Sequence, residues 1–115
     1  MKGLFYNGII IRQSLFSFIR FKIECMKYYI GIDLGGTNIA AGVVTEEKYL
    51  MAKHSVPTLA WRSFEDIVAD MVSLTLTVIE NSGLEQKDIS CVGIGVPSSI
   101  HPVTGNVVFA NNLNW

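Results

Sequence analysis

Cysteine is scarce in this sequence, and its scarcity excludes the class of disulfide-stabilised domains. The 115 residues contain two cysteines, Cys25 and Cys91, and neither belongs to a CxxC motif. There is also no His/Cys cluster with the spacing of metal ligands. Two cysteines cannot build a disulfide framework, so we expect a reducing compartment, the cytoplasm.

Long apolar runs and a large excess of one charge are missing as well. The apolar run at residues 9–11 is ended by Arg12, so nothing near it reaches the ~20 residues of a membrane span. The net charge is -1 and the charged fraction is 17%, in a chain long enough for one domain. These values argue against disorder and against a general affinity for nucleic acid. We therefore predict neither a nucleic-acid partner nor a membrane partner.

The first 25 residues differ from the rest in charge. Residues 1–25 carry four basic side chains and one acidic, a balance of +3, whereas residues 26–115 have a balance of -4. A secretory signal is disfavoured by the interrupted apolar stretch, and a basic amphipathic membrane helix by Gly3 and Gly8. Met26 and Lys27, followed at once by a strand pattern, are typical of a chain start. We expect residues 1–25 to be a leader outside the fold.

Residues 28–83 have clear strand and helix signals. Three β-rich runs at 28–33, 39–45 and 49–56 are joined by short turns, which predicts an antiparallel meander. A helix follows, with Ser63 and Asp66 forming a start like a capping box and Gly83 a C-terminal stop. Apolar residues between them recur at helical spacing.

The run "ISCVGIGVP", residues 89–97, is apolar on both faces, as in a buried strand of a helix-covered sheet. A long helix precedes it, so it should pair parallel to an earlier strand. Residues 98–106 are predicted to be a loop, and "VVFANNLNW" at most one short strand ending on a Trp115 that ought to be buried. The order β-β-β-α-β with a loop-rich end predicts an α/β fold. Since no second helix closes the layer, the domain at 26–115 looks incomplete.

The turn in "YIGIDLGGTNIAAG", residues 29–42, has two interpretations. The glycines could turn a hairpin by adopting positive φ. They could also let a phosphate approach the backbone, because Asp33 lies in an apolar strand end, where an unpaired carboxylate is costly. Thr37 and Asn38 would then add a hydroxyl and an amide, with Asp33 facing Mg²⁺ directly or through water. No P-loop is present, and "GIGVP" is a weak dinucleotide motif.

Two blocks carry a resemblance to a known family. "IGIDLGGTNIAAGVV" closely resembles the N-terminal phosphate motif of the ROK sugar kinases, the bacterial glucokinase-type branch of the actin-like/hexokinase superfamily. "VGIGVPSSIHPVTGNVVFANNLNW" resembles the second N-terminal block of that family. The blocks have the family's order and separation, and the resemblance covers residues 27–115.

The resemblance implies a ribonuclease-H-like fold, the N-terminal lobe of a two-lobed kinase. It places Asp33 near Mg²⁺, with the ATP phosphates lined by Gly35, Gly36, Thr37 and Asn38. It places Pro97, Ser98 and Asn112 at the sugar site. The implied reaction transfers the ATP γ-phosphoryl group to a hexose hydroxyl, glucose being the commonest substrate. A full-length relative is expected to be a homo-oligomer.

The sequence departs from the family in three respects. Ser98 stands where the family usually has glycine, which could narrow the sugar pocket. His101 replaces the usual aspartate, and we interpret it as an exposed loop histidine. The family's catalytic aspartate, in an Asn-Asp pair, and its zinc-binding His/Cys cluster are expected only beyond Trp115. Three acidic side chains of the helix look like a solvated face and poor substitutes for a base: Asp66, Asp70 and Glu80.

The 115 residues alone are therefore predicted not to phosphorylate sugar. Two further hypotheses remain beside an enzyme lobe. Some relatives are sugar-sensing repressors, but these carry a helix-turn-helix domain before the phosphate motif, and 25 residues are too few for it. The chain could also be a non-catalytic interaction fragment or a degenerate one.

Overall fold

The fold is a four-stranded mixed sheet with one long helix on one face, seen in a computed structural model that describes residues 26–109 and 113. The strand order is β3-β2-β1-β4. The strands are β1 Tyr28–Leu34, β2 Asn38–Thr45, β3 Leu50–Pro57 and β4 Ile89–Gly95. The helix, α1, is Phe64–Asn81. This is the predicted β-β-β-α-β order.

The first three strands form the predicted antiparallel meander. β1 pairs with β2 so that Asp33 lies opposite Ala40, and β2 pairs with β3 so that Gly42 lies opposite Lys53. Alternate residues of β1 and β2 are buried, as the period of a strand requires. The sheet therefore has one covered face and one open face.

Helix α1 begins and ends where its capping signals predict. The Ser63 side chain accepts a hydrogen bond from the backbone N–H of Asp66, at 3.1 Å. At the other end Gly83 has φ of 74°, the left-handed conformation that stops a helix cheaply at glycine. Within the described residues, no helix is long and apolar enough to cross a membrane.

The core lies between α1 and the covered face of the sheet. Five helical residues are buried there, at the helical spacing read from the sequence. They are Ile67, Met71, Leu74, Val78 and Ile79. Leu113 is fully buried in the same cluster. Trp115, expected to be buried, lies outside the described residues.

β4 pairs parallel to β1 as predicted, but the prediction that it is buried on both faces is wrong. Ile30 lies opposite Val92 and Asp33 opposite Gly95. Val92 is 48% exposed and Ile94 52% exposed. The reason is that α1 packs mainly over β2 and β3, so the edge strand β4 has no helix above it in the described part of the chain.

The segment after β4 contains a small hairpin that the sequence did not reveal. Strands β5, Ser99–Ile100, and β6, Val107–Phe109, pair antiparallel. β6 is the short strand predicted in "VVFANNLNW", but β5 falls where a loop was expected. A two-residue strand is too short to produce an alternating pattern. A 3₁₀ turn at Gln86–Asp88 was missed for the same reason.

Candidate functional site

The glycine turn joins the carboxyl end of β1 to the start of β2, and a hydrogen bond from Gly35 closes it. The backbone N–H of Gly35 donates to the carbonyl oxygen of Asn38 at 2.9 Å. A Cβ atom at Gly35 would lie 2.8 Å from that oxygen, closer than real Cβ atoms come. The hairpin interpretation invoked positive φ, but neither Gly35 nor Gly36 adopts it, because in the described chain Gly83 and Gly105 are the glycines with positive φ. Glycine is needed at position 35 because the backbone of Gly35 lies too close to the carbonyl of Asn38 to leave room for a side chain.

The turn presents free backbone donors. Among the described residues, the N–H groups of Gly36 and Thr37 have no hydrogen-bond acceptor. Gly36 is half-buried, and Thr37 and Asn38 are exposed. Successive free N–H groups in a turn form a small concavity that binds anions. The turn thus has the donors that a phosphate group needs.

Asp33 immediately precedes this turn and is exposed on the open face of the sheet. Its carboxylate makes no hydrogen bond or salt bridge with any described residue. The premise that Asp33 is embedded in an apolar environment is therefore wrong, because β1 alternates and its odd-numbered residues face away from α1. An exposed carboxylate beside free N–H donors is suited to a hydrated Mg²⁺ that accompanies a phosphate.

A shallow depression of about 440 Å³ extends from Asp33 across the open face. Its floor is low because small residues of β1 and β2 line it, among them Gly31, Ala40 and Gly42. Lys53 of β3 is the cation along its wall. The open face therefore offers a carboxylate and an ammonium group around a flat, mainly apolar floor.

The predicted sugar-site residues Pro97 and Ser98 follow β4 at the same end of the sheet's strands as the glycine turn. β1 and β4 are parallel and Asp33 pairs with Gly95, so Pro97 and Ser98 emerge beside the turn. The carboxyl ends of parallel strands are where α/β sheets bind ligands. Ser98 is half-buried, and its Oγ is buried with no partner among the described residues. Asn112 lies outside the described residues.

Thr58 contributes to the site and was missed in the sequence. It is fully buried, and its hydroxyl donates to the carbonyl oxygen of Gly35 at 2.6 Å. Its backbone N–H donates to the carbonyl oxygen of Thr37 at 2.8 Å. No local motif marks Thr58, which is 23 residues from Gly35 and is brought to the turn by the β2–β3 pairing.

Comparison with known proteins identifies the family. The family model described as "ROK family" matches residues 29–115. The chain belongs to the ROK family. Over 86 residues this ROK chain is 35% identical to the glucokinase of Streptomyces coelicolor, covering 75% of this chain and 25% of that protein. It is 36% identical over 87 residues to the glucokinase of Thermotoga maritima, covering 75% of this chain and 26% of that protein.

A solved structure shows the same fold. The ROK family glucokinase of Streptomyces griseus, crystallised with glucose and AMPPNP, matches with a TM-score of 0.66 and 34% identity. The match covers 76% of this chain and 26% of that chain. The mixed sheet is thus that of the N-terminal lobe of ROK kinases, as predicted. This ROK chain spans about a quarter of the length of the relatives it matches.

His101 has a structural role in the ROK chain. It is exposed, and its Nδ1 accepts hydrogen bonds from the backbone N–H groups of Val103 and Thr104, each at 3.3 Å. The Nδ1 of His101 thus accepts from backbone N–H groups of its own loop, two and three residues further along the chain. The contacts agree with the interpretation of a loop histidine.

The acidic residues of α1 divide into two kinds in this ROK chain. Asp66 and Glu80 are exposed, as predicted for a solvated face. The same prediction is wrong for Asp70, which is half-buried and paired with Arg62, whose Nη2 lies 2.5 Å from its Oδ2. The β3–α1 loop brings Arg62 back over the helix. Within the described residues, no group of three His, Cys, Asp or Glu side chains could hold a metal ion.

Proposed function

We propose that this ROK chain is the N-terminal part of an ATP-dependent, glucokinase-like sugar kinase. The reaction transfers the terminal phosphoryl group of ATP to a hexose hydroxyl, with ADP leaving. The observation that carries the proposal is the glycine turn, where the free N–H groups of Gly36 and Thr37 adjoin the unpaired carboxylate of Asp33. Two N–H groups that can donate to an anion therefore lie next to a carboxylate that can bind a cation.

The residues of this turn fit a magnesium nucleotide. Gly36 and Thr37 supply backbone donors for phosphate oxygens, and the exposed side chains of Thr37 and Asn38 add a hydroxyl and an amide. Gly35 lets the chain turn tightly enough to present them. Asp33 would hold Mg²⁺ directly or through water, and the ion would supply neutralisation of the phosphate charge.

The sugar site is proposed on the segment after β4. Pro97 and Ser98 leave the sheet beside the turn, and the buried hydroxyl of Ser98 has no partner in the described chain. The hydroxyl would have to rotate out of its buried position to reach a sugar hydroxyl, and it would break no hydrogen bond to a described residue in doing so. Asn112 completes the proposed site. Glucose is the proposed hexose, since the relatives from Streptomyces and Thermotoga are named glucokinases.

The chain supplies phosphate binding and lacks a recognisable base. The sequence contains no Asn-Asp pair, and Asp70 is engaged by Arg62. We propose that the 115 residues bind nucleotide without turning it over, in the cytoplasm. In a complete ROK kinase, which we propose to be a homo-oligomer, a carboxylate from elsewhere takes the hydroxyl proton.

A chimera tests the proposed function. Residues 29–115 replace the matching segment of the Streptomyces coelicolor glucokinase, and ATP-dependent formation of glucose 6-phosphate is measured. We expect activity in the chimera, and D33N should lower kcat/KM by about a hundredfold because the carboxylate charge is lost. The matched control E80Q removes an exposed helical carboxylate and should leave the rate unchanged.

Two results would contradict the proposal. One is a folded chimera that binds glucose but in which D33N and E80Q have equal activity. The other is glucose 6-phosphate formation by the purified 115-residue chain, which would show that the chain contains its own base.

A further inference from the structure

Thr58 is a buried polar residue. Its hydrogen bonds to described residues join it either to the glycine turn or to Arg62. Its side-chain hydroxyl donates to the carbonyl oxygen of Gly35 at 2.6 Å, and its N–H donates to that of Thr37 at 2.8 Å. A fully buried hydroxyl needs a partner, but many positions in a core could provide one. Here both donors act on two carbonyls that flank Gly36.

The planarity of the peptide bond links the contact between Thr58 and Gly35 to the direction of the Gly36 N–H. The carbonyl of Gly35 and the N–H of Gly36 belong to one planar trans peptide unit, so they point in opposite directions. When Thr58 holds the carbonyl towards the protein, the N–H of Gly36 must point away from it. The same N–H has no acceptor within the described residues. Thr58 therefore sets the direction of a free donor that it does not touch.

Thr58 is itself held from the other side. The Nη2 of Arg62 donates to the carbonyl oxygen of Thr58 at 2.8 Å and pairs with Asp70 of α1. The side chains of Arg62 and Asp70 are 19% and 36% exposed, so their pairing is screened less than that of a fully exposed surface pair. The turn, Thr58 and the helix thus form one connected series of contacts.

We propose that Thr58 is a positioning residue for nucleotide phosphate, with Arg62 as its support. The hydroxyl of Thr58 fixes the Gly35–Gly36 peptide so that the N–H of Gly36 donates to a phosphate oxygen without reorganisation on binding. This inference rests on the proposed function of the turn and adds the residue that orients it.

The test uses the full 115-residue chain with Mg·AMPPNP as the probe. Affinity is taken from an NMR titration that follows the backbone amide of Gly36. T58V keeps the shape and the backbone N–H but removes the hydroxyl, and we expect about tenfold weaker binding with a smaller Gly36 shift. T58S restores the hydroxyl and should bind within about twofold of the parent chain.

A matched threonine in α1 provides the control. The hydroxyl of Thr77 also donates to a backbone carbonyl, that of Ser73, at 2.9 Å, but this carbonyl belongs to α1 and not to the turn. T77V should leave both the affinity and the Gly36 shift unchanged. If T58V does not fold, R62Q is measured instead, and it should weaken binding about threefold by releasing the carbonyl of Thr58.

The outcomes separate the two proposals. Binding with a Gly36 shift in the parent chain, but equal affinity in T58V or in R62Q, overturns the role of Thr58 and leaves the turn as the phosphate site. Binding without any Gly36 shift also overturns it. No binding by the parent chain overturns the phosphate role of the turn and, with it, this inference.

Discussion

At the scale of single residues, the two glycines around β1 are glycine for different reasons. A Cβ atom at Gly35 would meet the backbone oxygen of Asn38 at 2.8 Å. A Cβ atom at Gly31, on the open face, would have no heavy atom within 4 Å. Backbone atoms cannot move aside as the end of a flexible side chain can. Position 35 therefore has no room for a side chain, whereas position 31 has room for one.

Alanine substitutions should separate these glycines. We expect G35A to lower the free energy of unfolding of the chain by about 1–3 kcal/mol, because the turn must open to admit the methyl group. G31A should be neutral or raise it by up to about 1 kcal/mol, since alanine loses less entropy on folding. Urea unfolding at constant m-value measures both. Equal midpoints for the two variants would refute the steric explanation.

At the scale of elements, helix α1 combines a strong start with an exposed outer face. The Ser63 side chain caps the first turn by accepting from the N–H of Asp66, a group with no partner inside the helix. Ser73 lies in the middle of the same helix, where it is exposed. One serine stabilises the helix by its position, and the other is an ordinary surface residue.

Serine-to-alanine substitutions test this difference. S63A should lower the free energy of unfolding by about 1 kcal/mol, because a donor loses its acceptor. S73A should raise it by a few tenths, about 0.3–0.5 kcal/mol, because alanine has the higher helix propensity. Thermal unfolding followed by circular dichroism measures both shifts. A stability loss for S73A as large as that for S63A would show that the hydrogen bond of the Ser63 cap does not stabilise the helix.

Elements with local signals were predictable, and those that depend on packing were not. The meander, α1 and the glycine turn follow from strand and helix periods and from caps and glycines within a few residues. The exposure of β4 depends on where α1 lies over the sheet, which no pattern in "ISCVGIGVP" encodes. The site follows the same division: Asp33 and Gly36 are marked locally, whereas Thr58 reaches the turn through strand pairing.

At the scale of the whole molecule, one helix covers one face of the sheet in the described part of the chain and leaves other apolar surface there open. Val92 and Ile94 of β4 are each about half exposed, and the open face carries the depression at Asp33. The buried core is built by residues 28–79 together with Leu113. That residues 1–25 lie outside this fold stays a prediction.

The parallel pairing of β1 with β4 has a consequence for the order of folding. β1, β2 and β3 contact neighbours in sequence, whereas β4 must close a loop that includes β2, β3 and α1 before its hydrogen bonds to β1 form. Closing the longer loop costs more entropy, and local contacts form faster. Gly35 and Thr58 both belong to the meander region, so we expect the glycine turn to be assembled before β4 joins the sheet.

Pulsed hydrogen exchange during refolding would reveal that order. Backbone amides of β2, such as that of Val43, should become protected earlier than those of β4, such as that of Val92. Simultaneous protection of both strands would mean that the sheet forms in a single step. In the expected order, a nascent chain would form the glycine turn while β4 was still being synthesised.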